Sequence, residues 1–142
     1  MATVETETLG QILIVRMNRP NSLNALNHEM RSELAEVWND FRESDALEVA
    51  IFTGAGRGFC AGEDMKESLQ DGAPGGRKPA RPDPFMDGTL EKPVIAAVNG
   101  TAAGMGAHLA LACDLVICAN NAKFVEVFAR RGLVPDALGP WL

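Results

Sequence analysis

Pro93-Val94-Ile95-Ala96-Ala97-Val98-Asn99-Gly100-Thr101-Ala102-Ala103-Gly104-Met105-Gly106 is the stretch that decides the fold. Its first six residues read as a strand with no polar face. Asn99 to Gly106 is a loop of small residues that feeds a helix. That helix, with Leu109, Ala110, Leu111 and Ala112, is apolar nearly all round, which predicts a central, buried element ending near Asp114. Leu115 to Ala119 reads as a further strand.

The same alternation extends upstream. Gln11-Ile12-Leu13-Ile14-Val15-Arg16-Met17 is a β-branched apolar run stopped by Asn18-Arg19-Pro20-Asn21, and residues 3–8 offer it a polar partner strand. Asn27 is a candidate N-cap, and Met30, Leu34, Val37, Trp38 and Phe41 recur at helical spacing, which predicts an amphipathic helix over 27–44. Leu47 to Thr53 gives another buried strand, followed at once by a glycine-rich turn. Residues 70–89 hold four of the eight prolines and four of the fourteen glycines without periodicity, which predicts a mobile surface loop. No repeat shows at solenoid spacing. The order is that of an α/β protein.

At 142 residues, 46% hydrophobic and 23% charged, the chain makes one domain, 1–142, with a core of its own. A net charge of -6 argues against a nucleic-acid partner. No apolar run approaches the roughly 20 residues that cross a bilayer. The acidic start, MATVETETLG, has neither a secretory nor a transit pattern, and Cys60, Cys113 and Cys118 fit no disulfide framework, so a reducing cytoplasm is expected. The last residues, Trp141 and Leu142, fall inside an apolar stretch, which predicts that the natural protein continues past them.

Two strand-to-loop junctions could carry chemistry: Thr53-Gly54-Ala55-Gly56-Arg57-Gly58-Phe59-Cys60-Ala61-Gly62-Glu63-Asp64-Met65, and Asn99 to Gly106. Glycine allows close ligand approach, so both can aim backbone N–H groups into a cleft. Other chemistries fail on the residues. Phe59 interrupts a GxGxxG pattern, no GK[ST] or GxSxG is present, and neither His28 nor His108 has a partner at metal-ligand spacing, so no metal is expected. By residue type His108 reads as a core or pocket-wall histidine, and Arg130-Arg131 as a solvated or capping pair. Asp136 is either a helix N-cap or a buried acid of raised pKa.

Arg19-Pro20-Asn21-Ser22-Leu23-Asn24-Ala25-Leu26, Phe59-Cys60-Ala61-Gly62-Glu63-Asp64-Met65, Lys92-Pro93-Val94-Ile95-Ala96-Ala97-Val98-Asn99-Gly100 and Leu109-Ala110-Leu111-Ala112-Cys113-Asp114 together resemble the crotonase superfamily, the enoyl-CoA hydratase/isomerase family. The resemblance runs along essentially the whole chain and covers the N-terminal half of a usual member. It implies a crotonase-like spiral of ββα units, cut before the C-terminal helices, that binds an acyl-CoA thioester as substrate and needs no cofactor. It also implies assembly as a homotrimer or dimer of trimers.

By motif position, the resemblance makes the amides of Glu63 and Met105 an oxyanion hole, flanked by Gly62, Gly104 and Gly106. Leu23, Ala25, Ala61, Asp64 and Met65 match positions that line the CoA and acyl channel. Hydratases of the family use two glutamates. Aligning the loops puts His108 at the first of these positions and Phe128 at the second, so neither is a carboxylate. Gly132-Leu133-Val134-Pro135-Asp136 is similar instead to members with one working aspartate after this motif. The expected activity is therefore double-bond isomerisation of an enoyl-CoA, with Asp136 as acid/base beside Pro135. The alternatives are a hydratase using His108 or Glu126, nucleophilic chemistry by Asp136, and a non-catalytic chain that only binds acyl-CoA or other subunits.

Overall fold

A computed structural model describes residues 2–70 and 79–135. Strands β1 (Val4–Leu9) and β2 (Ile12–Met17) form an antiparallel hairpin, and β2 then pairs in parallel with β3 (Val49–Gly54). With β5 (Val94–Val98) and β7 (Leu115–Cys118) they make a five-stranded sheet of order β1-β2-β3-β5-β7. A second, all-parallel sheet stacks three short strands, β4 (Gly58–Cys60), β6 (Thr101–Ala103) and β8 (Lys123–Val125), in the order β4-β6-β8.

These strands are one unit used three times. β3, β5 and β7 each run through the large sheet, turn, and continue as β4, β6 and β8 in the small one. Helix α2 (Met65–Gln70) follows the first unit, α3 (Met105–Leu111) the second, and a single 3-10 turn at Ala129–Arg131 the third. This is the expected spiral of ββα units. The sequence hides it because β3 and β5 begin 45 residues apart, at 49 and 94, whereas β5 and β7 begin 21 apart, at 94 and 115.

Helix α1 (His28–Glu43) starts where its cap predicts, with Asn27 Oδ1 accepting from the Met30 N–H at 3.0 Å. Its apolar face meets the large sheet. Side chains alternate along the strands as period-two geometry requires, so Leu13, Val15, Met17, Ala50 and Phe52 are buried with Met30, Leu34, Trp38 and Phe41. Trp38 packs edge-on against Phe52 (5.3 Å between ring centres) and stacks on Phe85 at 5.1 Å.

Two elements differ from expectation. Helix α3 stops at Leu111, three residues short of Asp114, and Leu111 is exposed. Asp114 is engaged by β5 instead: its N–H donates to Val94 O (2.9 Å) and its Oδ2 accepts from the Val94 N–H (2.8 Å). Within the predicted loop at 70–89, Gln70 ends α2 and residues 71–78 lie outside the described residues. Residues 79–89 carry no regular element, yet Phe85 is buried and Asn39 donates to Pro82 O at 2.8 Å. That segment contributes to the core rather than only covering it.

Candidate active site

The two glycine-flanked junctions meet. Leu26 N–H donates to Gly62 O (2.8 Å) and Asp64 N–H donates to Leu26 O (2.9 Å), a parallel bridge between Leu26 and Glu63. Because Leu26 bonds the residues on either side of Glu63, the N–H of Glu63 itself points away from Leu26. Gly62, with φ +93°, lies against the second junction: a Cβ on it would sit 2.7 Å from Ala103 O and 3.4 Å from Met105 N. Standard bond lengths keep Glu63 N within about 4 Å of that point, so the two nitrogens lie within about 7 Å of each other. Among the described residues neither N–H has an acceptor. Two such amides can share one anionic oxygen where their nitrogens lie within about 6 Å of each other, each about 3 Å from it.

Side chains hold the first junction. Arg19 donates to Asp64 Oδ2 (2.9 Å) and to Ala25 O, which ties the junction to the segment before α1. Arg31 pairs with Glu63, and Ser68 Oγ donates to the other oxygen of that carboxylate at 2.8 Å. Asn24 is fully buried at φ 57°. Its Oδ1 accepts from the Arg19 N–H, and its Nδ2 lies within 3.1 Å of the carbonyls of Ala55, Gly58 and Phe59. Asn99 makes a second staple at the end of β5, donating to Gly56 O (2.9 Å) and Gly58 O (3.2 Å) while accepting from the Gly54 N–H.

Backbone fit holds the second junction. A Cβ on Gly106 would lie 2.2 Å from Cys60 O, so α3 seats directly on β4. Gly104 N–H donates to Val125 O at 3.0 Å, tying the start of α3 to β8.

Cavities flank both bends. One of about 290 Å³ is lined by Asn21, Ser22, Ala25, Glu63, Asp64 and Met65 among others, which brings three of the expected channel residues together with Glu63. A larger one, about 510 Å³, opens between α1, α3 and residues 79–87, with Leu26, Arg31, Asp83, Met105 and Leu109 in its wall. Leu23 is half-buried at φ 49°, and Ala61 is half-buried beside Gly62, its N–H donating to Leu23 O at 2.9 Å. Burial pushes the Asp83 carboxyl up to about 6, against the two backbone N–H groups of Met86 and Phe85 that favour its anion. Burial likewise pushes the Cys60 thiol up to about 12, so it remains neutral and is no nucleophile at neutral pH.

His108 and Phe128 come together as stacked rings, 5.2 Å between centres and 11° from parallel. His108 is 3% exposed. Its Nε2 faces Glu126 Oε2 at 3.5 Å, and its Nδ1 is buried with no partner among the described residues. An unsatisfied buried nitrogen of this kind costs on the order of 1–3 kcal/mol. Pro135 is exposed, and Asp136 lies outside the described residues. Among the described residues no group of three His, Cys, Asp or Glu could hold a metal ion, and no helix is long and apolar enough to cross a membrane.

The Asn24 and Asn99 staples and the Arg31–Glu63 pair are not among the residues expected from sequence. An asparagine in a loop reads as turn chemistry, and nothing local announces carbonyl partners more than 30 residues away. Helix α2 did leave a signal: Asp64 and Glu67 stand at capping-box spacing. Asp64 Oδ1 does accept from the Lys66 N–H, at 3.3 Å.

Comparison with known proteins agrees with this architecture. The enoyl-CoA hydratase/isomerase family pattern matches residues 7–142. The chain is 41% identical to 1,2-epoxyphenylacetyl-CoA isomerase of Escherichia coli K12, over 92% of this chain and 53% of that one. It is 44% identical to carnitinyl-CoA dehydratase of Proteus mirabilis, over 93% and 51%. Its backbone superposes on enoyl-CoA hydratase EchA1 of Mycobacterium marinum with a TM-score of 0.86 at 35% identity, covering 98% of this chain and 54% of the other. The chain belongs to the enoyl-CoA hydratase/isomerase family, of the crotonase superfamily. It spans about half the length of the curated relatives it matches.

Proposed function

We propose that the protein processes acyl-CoA thioesters through an enolate, and that its reaction is migration of a carbon–carbon double bond in an enoyl-CoA. The thioester oxygen would accept from the N–H groups of Glu63 and Met105, with the acyl chain in the larger cavity beside Met105 and Leu109. Asp136 would take a proton from the carbon alpha to the thioester. The electron pair moves onto the carbonyl oxygen, where each amide donor contributes roughly 3 kcal/mol to the transition state. The same carboxyl then returns the proton to the gamma carbon, so no other reactant is consumed.

The observation that carries this reading is the approach of Gly62 to Met105 N, which leaves two N–H donors with no acceptor among the described residues. Isomerisation is preferred over the two-glutamate addition of water because an imidazole and a phenyl ring stack at the matching positions. The relatives carry isomerase, dehydratase and hydratase names, all of acyl-CoA enzymes, which supports the thioester substrate class and leaves the choice of reaction to the site residues.

The test is Asp136→Ala in the natural protein. Isomerisation of a 3-enoyl-CoA is expected to fall by about 10²–10⁴-fold, with acyl-CoA affinity retained. Turnover within a few-fold of the parent would remove Asp136 from the mechanism.

A further inference from the structure

We infer that Arg31 is a positioning residue whose ion pair with Glu63 links filling of the larger cavity to the N–H that holds the thioester oxygen. The inference rests on the acyl-thioester reading above but not on Asp136.

The pair stands between the two cavities. Arg31 lies in the wall of the larger one with Met105 and Leu109, and Glu63 in the wall of the smaller. Their side chains are only 16% and 17% exposed, so water has little room to replace either partner. Each oxygen of the Glu63 carboxylate is engaged, one by Arg31 Nη2 on α1 and the other by Ser68 Oγ on α2. Among the described residues Arg31 Nε is buried without a partner, and Asp83, in the same cavity wall, is bonded by the Phe85 and Met86 N–H groups. Glu63 is thus the group that holds the guanidinium.

What the pair governs is one peptide plane. The Glu63 N–H belongs to the peptide that joins Gly62 to Glu63. Gly62 has no side chain, so the Glu63 carboxylate is the one side-chain hold on that plane. Its carbonyl end is fixed by the backbone, where Gly62 O accepts from the Leu26 N–H at 2.8 Å. Release of the carboxylate lets the peptide tilt about Gly62, whose φ of +93° no side chain restricts.

An acyl chain that reaches Arg31 displaces water from the guanidinium. The attraction between the two charges then strengthens, because less solvent screens it. The N–H is held most firmly with the chain in place, so binding energy from the far end of the substrate emerges as turnover rather than affinity. A chain too short to reach Arg31 leaves the pair wetted and the N–H less well held. Arg31 therefore selects, through kcat, acyl chains that extend beyond the reacting carbons.

The experiment compares isomerisation of a short chain, 3-butenoyl-CoA, with that of a long one, 3-octenoyl-CoA, by the natural protein. Parent protein should show a kcat about 10-fold or more higher on the long chain. Arg31→Gln should lower kcat on the long chain by about 10-fold with KM little changed, and leave the short chain within a few-fold of the parent. Arg31→Lys, which keeps the charge, should recover part of the loss. Glu63→Gln keeps the N–H and an acceptor for Ser68, and should reproduce the Arg31→Gln pattern even where Arg31→Gln does not fold. In the double variant the losses should not add, because either change alone breaks the pair.

Equal loss on both chains makes Arg31 a structural residue only and overturns the proposal. Additive losses overturn it too, as does a parent that turns over the short chain as fast as the long. Each of these results leaves the acyl-thioester reading standing. A parent that isomerises neither chain overturns that reading, and this inference with it.

Discussion

The two bends that bring Glu63 and Met105 together are secured by opposite means. The first is tied by side chains: Arg19 to Asp64 and Ala25, Arg31 and Ser68 to Glu63, and Asn24 to three carbonyls. The second has a side-chain tie only at its first residue, where Asn99 bonds Gly54, Gly56 and Gly58. Around Met105 it is held by the missing side chain of Gly106 against Cys60 and by the backbone bond from Gly104 to Val125. A bend held by polar side chains can be loosened in steps, since each bond is worth about 1 kcal/mol or a little more. A bend held by backbone contact has no intermediate state, because close-packed atoms either fit or force the chain apart. The position of one amide is therefore adjustable by substitution, and that of the other is not.

Gly106→Ala should break the comparison hardest. The added carbon meets the Cys60 carbonyl, which cannot move without displacing β4. A loss of about 3 kcal/mol or more in denaturant unfolding is expected, with turnover abolished. A variant that unfolds like the parent would show that α3 can slide on β4.

Asn24→Ala strikes the tied bend and should be graded. It leaves buried carbonyls without a donor and puts alanine at a left-handed φ of 57°. About 2 kcal/mol of stability should be lost, with residual turnover, in the same measurements. Complete loss of folding would mean that this bend, too, has no intermediate state.

The smallest effect concerns Asp83, in the wall of the cavity that Arg31 and Met105 also line. Its carboxyl titrates near 6 when folded and near 3.8 in the free form, so the folded state binds more protons between those values. Its contribution to stability is full below about pH 4 and is lost as pH rises through about 6. Asp83→Asn keeps an oxygen for the Phe85 and Met86 N–H groups. The variant should be more stable than the parent at pH 7.5, by on the order of 1–2 kcal/mol, and should lack the parent's decline in Tm between pH 4 and 6.

What the sequence reveals of all this follows from where each element gets its stability. β2, β3, β5 and α1 carry their own apolar period and are legible at nearly their true bounds. β4, β6 and β8 are three residues each, Gly-Phe-Cys, Thr-Ala-Ala and Lys-Phe-Val, and no pattern can show in so few positions. They exist because the large sheet delivers them side by side, a property of the spiral and not of their own residues. The candidate site divides in the same way. Backbone donors leave a readable trace, because only small residues permit the approach of Gly62 to Met105. The Glu126–His108 contact does not, since it joins a helix to a segment 18 positions later.

Asn99 has a consequence of another kind. Together with Gly100 and Thr101 it spells the acceptor signal for N-linked carbohydrate. Both hydrogens of its amide nitrogen are already committed, to Gly56 and Gly58. Attachment of a sugar would replace one of them and place a bulky hydrated group where β5 turns into β6. The folded chain therefore masks this signal, and a glycan could be added only to a chain that had not yet closed the turn, at the expense of its closing.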